Sequence, residues 1–415
     1  MRGEVQMQKD KPMRTAIVLS GYTPGLGVLR SLAAMGVPVV LVCYGEFDFA
    51  GRSRLASTSL YAPHPEKEEK KFIEFLVECG QRYPGAVLFP TLDDCLVPVS
   101  RNKALLEQHF RVACTEWEIT EQFIDKQATY ALAERCGVPA PRTVTPASLT
   151  EAQAAVEMIG LPCLVKPCLS HIFTPRFGTK MVRAETWETV REVFQNALDA
   201  GLQVMLQELI PGEDAEVVNY NAYAWEGKVL TEFTALHVRN GPPWFGQPRV
   251  ALSKKIPGVI EPGRRMLEAL KFSGYSCTEF KRDPRDGKFK VLDVNGRHNL
   301  STMLAVRSGI NFPWLHYRHM SEGIEPGPMN FREGVYWIDL VRDIGFTAKY
   351  LTREKHTLSS YIEPYVRPHV FAIFSARDPM PFLRRVMSYK PKMKKTEIKA
   401  KEPEVGPVQT EEARA

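Results

Sequence analysis

The sequence lacks long apolar segments and cysteine motifs, and each absence excludes a class of protein. No run of about eighteen apolar residues occurs in the 415 residues, so no membrane-spanning helix is predicted. Residues 1–10 are polar where a secretory signal requires an apolar centre. The eight cysteines form no CxxC pair and no Cys–His cluster with zinc spacing, so we expect reduced cysteines in a cytoplasmic protein.

An α/β opening with a glycine-rich turn is predicted at the start of the chain. Apolar strands are expected over residues 15–20, 37–43 and 86–90, and a helix over residues 28–35. The turn GYTPGLG at 21–27 is followed by Arg30 where the dinucleotide fingerprint GxGxxG has its third glycine, so a tight turn is favoured over a dinucleotide site. Asp93 and Asp94 follow the last strand and are candidates either to line a substrate crevice or to cap a helix.

The net charge of +6 is concentrated near the end of the chain. Between Arg384 and Lys401 there are eight basic residues and one acidic residue, so the remainder is close to neutral. Residues 388–415 lack apolar periodicity and are predicted to form a disordered basic tail. A solvated tail is favoured over weak contact with anionic surfaces, and no nucleic-acid partner is expected.

The most informative stretch is a predicted β-hairpin within residues 275–299. Two runs rich in aromatic and β-branched residues flank a turn at 283–287 that contains proline and glycine. Glu279 on one strand, and Asp293 and Asn295 on the other, offer the oxygen ligands that Mg²⁺ prefers. The alternative is that these three are ordinary polar residues on the solvated face of a sheet.

The register of this hairpin decides whether the three side chains meet. Symmetric pairing about Arg285 places Glu279 opposite Val291 and diagonal to Asp293, about 7 Å away. Alternation of side chains also places Val291, Asp293 and Asn295 on one face. At that separation the carboxylates and the amide oxygen are expected to bind the same cation or pair of cations.

Helical and strand patterns alternate through the middle of the chain. Residues 121–136 have the spacing of one helix, which Gly137 and the prolines after it end. Lys166 lies inside a short apolar strand over residues 161–167. A buried lysine needs a partner, and the alternative is a core lysine whose amine reaches solvent.

Four motifs, in this order and at these intervals, resemble the ATP-grasp superfamily and in particular its carboxylate-amine ligases. The motifs are Asp125-Lys126 before a helix ending in GVPAP, LVKP at 164–167, QELIPGED at 207–214, and TEF at 278–280 paired with LDVNGR at 292–297. The resemblance covers residues 15–320. The four motifs together are specific, although each alone is weak.

The resemblance implies a protein of mixed α/β and α+β class. A pre-ATP-grasp α/β domain is expected over residues 1–120, followed by a two-lobed ATP-grasp domain over residues 121–323. Residues 324–387 are expected to pack as an appended segment in which HVFAIFSA at 369–376 belongs to the core. The basic tail over residues 388–415 completes the chain.

The resemblance also implies the residues that contact ATP. Six residues match the nucleotide-contacting positions of the family: Lys126, Lys166, Glu208, Leu209, Ile210 and Asp214. The two lysines correspond to those that neutralise the phosphates, and the three hinge residues present their backbone to the adenine edge. The aspartate corresponds to the ribose ligand, with Glu213 and Glu216 as alternatives.

The metal ligands and the catalytic arginine follow from the same resemblance. Glu279, Asp293 and Asn295 match the magnesium ligands, with Mn²⁺ as an alternative ion. Asp293 stands where glutamate is more usual, so its shorter reach draws the metal nearer the strand. Arg297 matches the arginine that binds the transferred phosphate, and Gly296 replaces the proline that usually precedes it.

Two loops depart from the family pattern. The phosphate loop at 167–179 has a single glycine, and His171 and Arg176 are its candidate phosphate-binding residues. Arg239 and Arg249 stand where relatives carry substrate-facing basic residues, which makes them candidates for that role.

The activity implied is the ligation of two small molecules. ATP phosphorylates a carboxylate to an acyl phosphate, which an amine attacks to give an amide, ADP and phosphate. The alternatives are carbamoyl-phosphate-synthase-like or carboxylase-like phosphoryl chemistry, and a non-catalytic ATP-binding switch module. No Ser-His-Asp or Cys-His arrangement is recognisable, which suits chemistry that relies on positioning and electrostatics.

Overall fold

The computed structural model describes residues 13–45, 48–168, 181–243, 246–350, 354 and 356–388. These residues form three β-sheets with helices packed against them. Within these ranges, no helix has the length and apolar character needed to cross a membrane. The predictions for His171, for Arg176 and for the basic tail beyond Ser388 concern residues that lie outside the described ranges.

Five parallel strands form the N-terminal sheet in the order β3-β2-β1-β4-β5. They are β1 (Ala16–Leu19), β2 (Val39–Cys43), β3 (Thr58–Tyr61), β4 (Val87–Pro90) and β5 (Arg111–Val112). Every residue of β1, β2 and β4 is buried, as expected of a parallel sheet covered on both faces. The connections contain α1 (Thr23–Ala33), α2 (Glu69–Arg82), α3 (Asp93–Arg101), α4 (Lys103–Leu106) and a 3₁₀-helix over Phe49–Arg52.

Helix α1 begins at Thr23 rather than at Val28, so the predicted extent of the glycine-rich turn was wrong. Pro24 lies in the first helical turn, where its restricted φ suits the helix and its missing N–H costs no hydrogen bond. A Cβ at Gly25 would collide with the carbonyl oxygen of Ser20. Glycine is therefore required where α1 starts against the end of β1.

The helix predicted over 121–136 is two helices, α5 (Trp117–Ile124) and α6 (Lys126–Arg135). Asp125 separates them and caps the second, because its Oδ1 accepts a hydrogen bond from the backbone N–H of Gln127 at 2.8 Å. The cap satisfies a helix-terminal N–H that otherwise lacks a partner. Lys126 thereby becomes the first residue of α6.

Four antiparallel strands form the second sheet in the order β6-β9-β7-β8. They are β6 (Thr143–Val144), β7 (Cys163–Pro167), β8 (Val182–Ala184) and β9 (Val204–Glu208). Helices α7 (Leu149–Ile159) and α8 (Trp187–Asp199) share an apolar core with this sheet. Lys166 lies within the fully buried strand β7, as its sequence context predicted.

Seven strands form the largest sheet, in the order β14-β13-β10-β11-β12-β15-β16. They are β10 (Val217–Trp225), β11 (Lys228–Gly241), β12 (Gln247–Ser253), β13 (Gly274–Arg282), β14 (Phe289–Asn295), β15 (Tyr336–Ile338) and β16 (His369–Phe371). Neighbouring strands are antiparallel except for the parallel pair β15 and β16. The chain between β10 and β15 also forms α9 (Ile260–Ala269), α10 (Thr302–Ser308) and α11 (Phe312–Glu322). One 3₁₀-helix covers Asp214–Glu216 directly before β10, and another covers Pro257–Val259 directly before α9.

The C-terminal segment is built into this sheet. It supplies β15 and β16, together with α12 (Leu340–Tyr350), α13 (Leu358–Val366) and α14 (Met380–Met387). It also contacts the N-terminal domain, because Nε and Nη2 of buried Arg30 donate to Oδ2 of buried Asp378 at 3.2 and 3.0 Å. The segment therefore ties the N-terminal domain to the seven-stranded sheet.

Candidate active site

The hairpin of β13 and β14 brings two acidic residues closer together than its symmetric register predicted. Glu279 lies directly opposite Asp293, and the next pair is Phe280 opposite Val291. Leu292 is the extra residue of a bulge, so the predicted pairing of Glu279 with Val291 was wrong. Val291 consequently packs in the apolar core on the other face, while the two carboxylates face each other at a Cβ separation of about 5 Å.

These carboxylates line a cavity of about 520 Å³ between the N-terminal domain and the two later sheets. The cavity brings together nine of the ten residues that the sequence assigned to a site: Lys126, Lys166, Glu208, Leu209, Ile210, Glu279, Asp293, Asn295 and Arg297. Asp214 does not line it. Its volume lies in the range of about 300–1,000 Å³ typical of small-molecule sites.

Lys126 and Asp293 form an ion pair on the cavity wall. Nζ of Lys126 donates a hydrogen bond to Oδ1 of Asp293 at 2.7 Å. Burial is the largest single influence and lowers the pKa of Lys126, but the charge and hydrogen bond of Asp293, together with the nearby Tyr130 and Asp93, raise the pKa overall. Lys126 therefore stays protonated and neutralises one of the two facing carboxylates.

Among the described residues, Lys166 forms no ion pair with a carboxylate. Its side chain is buried in β7, and Nζ donates to Oε1 of Gln207 on β9 at 2.5 Å. Burial, followed by the like charge of Lys126, lowers the pKa of Lys166 to about 8. The buried ammonium is thus poorly compensated, and an anion bound in the cavity would supply the missing negative charge.

Arg297, which follows β14, is held by the N-terminal domain. Nε and Nη2 donate to Oδ1 and Oδ2 of Asp93 at 2.5 and 2.7 Å, and Nη2 also donates to Oδ1 of Asn295 at 2.9 Å. Burial is the largest single influence and lowers the pKa of Arg297, but the charge and hydrogen bonds of Asp93, together with the charge of Asp293, raise the pKa overall. Within the described part of the chain Nη1 makes no hydrogen bond, so this nitrogen remains free for an anionic ligand.

Of the two aspartates after β4, only Asp93 lines the cavity. The crevice interpretation therefore fits Asp93, which is the first residue of α3, whereas the cap position before it is Leu92. Asp94 instead accepts a hydrogen bond from the hydroxyl of Tyr44 at 2.7 Å. Burial raises the pKa of Asp94.

The hinge after β9 lines the cavity with Glu208, Leu209 and Ile210. The carboxylate of Glu208 is engaged by Arg285 at 2.6 Å and by Arg142 at 3.4 Å. Because these ion pairs occupy the Glu208 side chain, a ligand beside the hinge would be recognised by backbone groups.

Asp214 is held away from the cavity by Asn240. The Asp214 carboxylate accepts hydrogen bonds from the backbone N–H and the side-chain amide of Asn240 at 2.8 and 3.1 Å. Asn240 itself lines the cavity, and so does Lys281, which donates to the carbonyl oxygen of Gly212 at 2.9 Å. A ribose contact by Asp214 would require this loop to shift.

The prediction that Arg239 and Arg249 face substrate was wrong, because both are fully buried away from the cavity. Nε and Nη2 of Arg239 donate to Oδ1 and Oδ2 of Asp343 at 3.0 and 2.7 Å. Arg249 lies 3.4 Å from the Asp343 carboxylate and also pairs with Glu354. These ion pairs fasten α12 to β11 and β12.

The chain matches no protein-family model. It is similar to D-aspartate ligase of Enterococcus faecium, at 24% identity over 257 residues that cover 59% of this chain and 57% of the relative. Its structure resembles a biotin carboxylase complex with β,γ-ATP from Campylobacter jejuni, with a TM-score of 0.63, 16% identity and coverage of 77% of this chain and 74% of that one. It also resembles L-amino acid ligase from Bacillus licheniformis, with a TM-score of 0.60, 16% identity and coverage of 76% of each chain.

The chain has the ATP-grasp fold. The four-stranded and seven-stranded sheets are its two lobes, and the cavity lies between these lobes and the N-terminal domain. The chain spans little more than half the length of D-aspartate ligase. The likeness to these solved structures confirms the fold class that the four sequence motifs predicted.

Sequence reasoning missed several polar residues that line the ATP-grasp cavity, among them Gln207, Asn219 and Arg342. Gln207 stands in the QELIPGED motif, and its polar side chain directly after three apolar residues of β9 was a usable signal. Asn219 lies in a run of buried residues, where a polar side chain also stands out. Arg342 donates to the carbonyl oxygen of Gly241 at 2.7 Å, but it belongs to a segment without a recognisable motif.

Proposed function

We propose that this protein is an ATP-dependent ligase that phosphorylates a substrate carboxylate and joins it to an amine. The observation that carries the proposal is the distribution of charge around the cavity. Lys126 of α6 and Lys166 of β7 line the same cavity as a pair of facing carboxylates and an arginine held by the N-terminal domain. This arrangement is suited to a triphosphate with a divalent cation, since one cavity offers cationic groups for the phosphates and carboxylates for the cation.

The donor set fits Mg²⁺ or Mn²⁺ bound with ATP. Glu279 and Asp293 offer carboxylates and Asn295 an amide oxygen, all of them hard ligands that these ions prefer. Lys126 and Lys166 would hold the phosphates, and the low pKa of Lys166 supports a missing anionic partner. When bound, the ion would neutralise charge on the phosphoryl group during its transfer.

The remaining contacts to ATP are assigned to the hinge and to Asp214. The backbone of Glu208–Ile210 would bind the adenine edge, since the Glu208 side chain is already paired with arginines. Asp214 would bind the ribose after release from Asn240.

Arg297 would bind the phosphoryl group during transfer through Nη1. Nε and Nη2 of the guanidinium are held by Asp93 and Asn295, so Nη1 is oriented before the substrate binds. A donor that is already oriented stabilises developing charge without reorganisation at the moment of reaction. Asp93 is thus a positioning residue that links the N-terminal domain to the chemistry.

The substrates would be a small-molecule carboxylate and a small-molecule amine. The similarity to D-aspartate ligase supports amide formation. The alternatives are phosphorylation of bicarbonate, which the resemblance to a biotin carboxylase makes worth testing, and ATP binding without turnover.

A screen of amino acids and small carboxylates, with and without amines, for ADP release tests the proposal. We expect ADP formation only when a particular acid and amine are both present. Arg297→Ala should abolish it, whereas Lys228→Ala, at a highly exposed lysine, is the matched control and should not. ADP release with bicarbonate alone would support the carboxylase-like alternative, and binding of ATP without release under any condition would support the switch.

A further inference from the structure

Asn219 of β10 is a buried polar residue of the cavity whose side-chain oxygen has no partner. The residue is only 5% exposed, and its Oδ1 makes no hydrogen bond within the described part of the chain. Buried polar atoms are almost always hydrogen-bonded, because leaving one unpaired loses the interaction it had with water. An unpaired oxygen on a residue that lines a cavity therefore points to a ligand.

Asn219 lies in line with the two facing carboxylates. It is directly opposite Glu279 on β13, and Glu279 is directly opposite Asp293 on β14. Directly opposite residues of antiparallel strands share a face, with Cβ atoms about 5 Å apart. All three line the cavity, so three oxygen-bearing side chains form a row across three strands.

Asn221, two residues along the same strand and on the same face, is a contrasting case. It lies opposite Cys277, and its Oδ1 accepts hydrogen bonds from the hydroxyl of Tyr275 at 2.7 Å and from Nδ2 of Asn299 at 2.9 Å. The unpaired oxygen is thus particular to Asn219 and is not a property of the strand.

We propose that Asn219 binds the divalent cation, or a water molecule on it, through its amide oxygen, together with Glu279 and Asp293. The inference rests on the proposed function, because it assigns a further residue to the same ATP site. A neutral oxygen extends the ligand row without adding a third negative charge to two carboxylates that already repel each other. Mg²⁺ commonly keeps several bound water molecules, so Asn219 on a third strand can contact the ion through one of them.

The test is Mn²⁺ binding to the full chain in the presence of saturating ADP, with free Mn²⁺ measured by electron paramagnetic resonance. Asn219→Leu should weaken Mn²⁺ binding about tenfold, as loss of a supporting metal contact commonly does. Asn219→Asp should tighten it, because a carboxylate replaces an amide. Asn221→Asp is the matched control and should leave the Mn²⁺ affinity within about twofold of the wild type.

A side chain that only fills space would give a different pattern. Both Asn219 variants would then lower the melting temperature and leave Mn²⁺ affinity unchanged, which overturns the inference. If Asp293→Asn still abolishes Mn²⁺ binding in that case, the proposed function survives without Asn219. If the wild-type chain binds neither ADP nor Mn²⁺, the proposed function fails first.

Discussion

Replacing Lys166 with methionine is expected to stabilise the nucleotide-free protein while weakening ATP binding. A pKa lowered from 10.5 to about 8 corresponds to about 3 kcal/mol of unfavourable free energy for the buried ammonium. The variant also loses the hydrogen bond to Gln207, which costs about 1 to 2 kcal/mol because the amide oxygen is then unpaired. The net expectation is a free energy of unfolding higher by about 1 to 2 kcal/mol.

The pH dependence of this difference has a definite sign. Between pH 8 and 10.5 the unfolded chain protonates Lys166 more than the folded chain does, so wild-type stability rises with pH in that window. Methionine cannot titrate, and the advantage of the variant should therefore shrink as pH rises from about 8 toward 10.5. Denaturant unfolding of both proteins at several pH values, in the absence of nucleotide, measures this difference in the free energy of unfolding.

ATP binding should change in the opposite direction. A charge-assisted hydrogen bond to phosphate is worth about 1.5 to 3 kcal/mol, so calorimetric affinity for Mg-ATP should fall about tenfold or more. Because phosphate favours the ammonium form of Lys166, wild-type binding should take up a proton above about pH 8, and the variant should not. Calorimetry in buffers of different ionisation enthalpy detects that proton.

Lys126→Met is the informative comparison for Lys166→Met. It should also weaken ATP binding, but it should destabilise the nucleotide-free protein, because Asp293 then loses its ion-pair partner. If both variants shift stability in the same direction, or if Lys166→Met binds ATP with wild-type affinity, the electrostatic account of the two lysines is wrong.

Three further substitutions test other parts of the site and fold. Asp293→Asn should remove the rise in melting temperature that Mg-ATP produces. Without ligand it should cost about 1 kcal/mol or less of unfolding free energy, through weakening of the partly buried pair with Lys126. An undiminished rise would exclude Asp293 as a metal ligand. Asp93→Asn should lower kcat more than it raises KM for ATP, because the Arg297 guanidinium loses the carboxylate charge that orients it. An unchanged kcat would contradict the positioning role of Asp93. Asp125→Ala should cost about 1 kcal/mol of unfolding free energy through loss of the cap on α6, measured by denaturant unfolding, and no cost would show that the cap is dispensable.

The sequence determined those features that depend on short stretches of chain. Strand burial followed from apolar runs, and Lys166 stood out because a charge interrupts one of them. Glu279, Asp293 and Asn295 were identifiable because alternation along two adjacent strands places their side chains toward one space. The ATP-grasp fold was recognisable because four local motifs kept their order and intervals.

Only the tertiary structure decided which of these groups meet. The bulge at Leu292 changed the partner of Glu279, since one inserted residue moves every following side chain to the other face. Asp93 reaches Arg297 across more than two hundred residues of sequence, a pairing without any local signal. Arg239, a candidate substrate-facing residue from the sequence, is instead neutralised by Asp343 of a segment that has no motif. Such pairings depend on how distant elements pack, and a short stretch of sequence does not encode the position of a partner that folds against it from elsewhere.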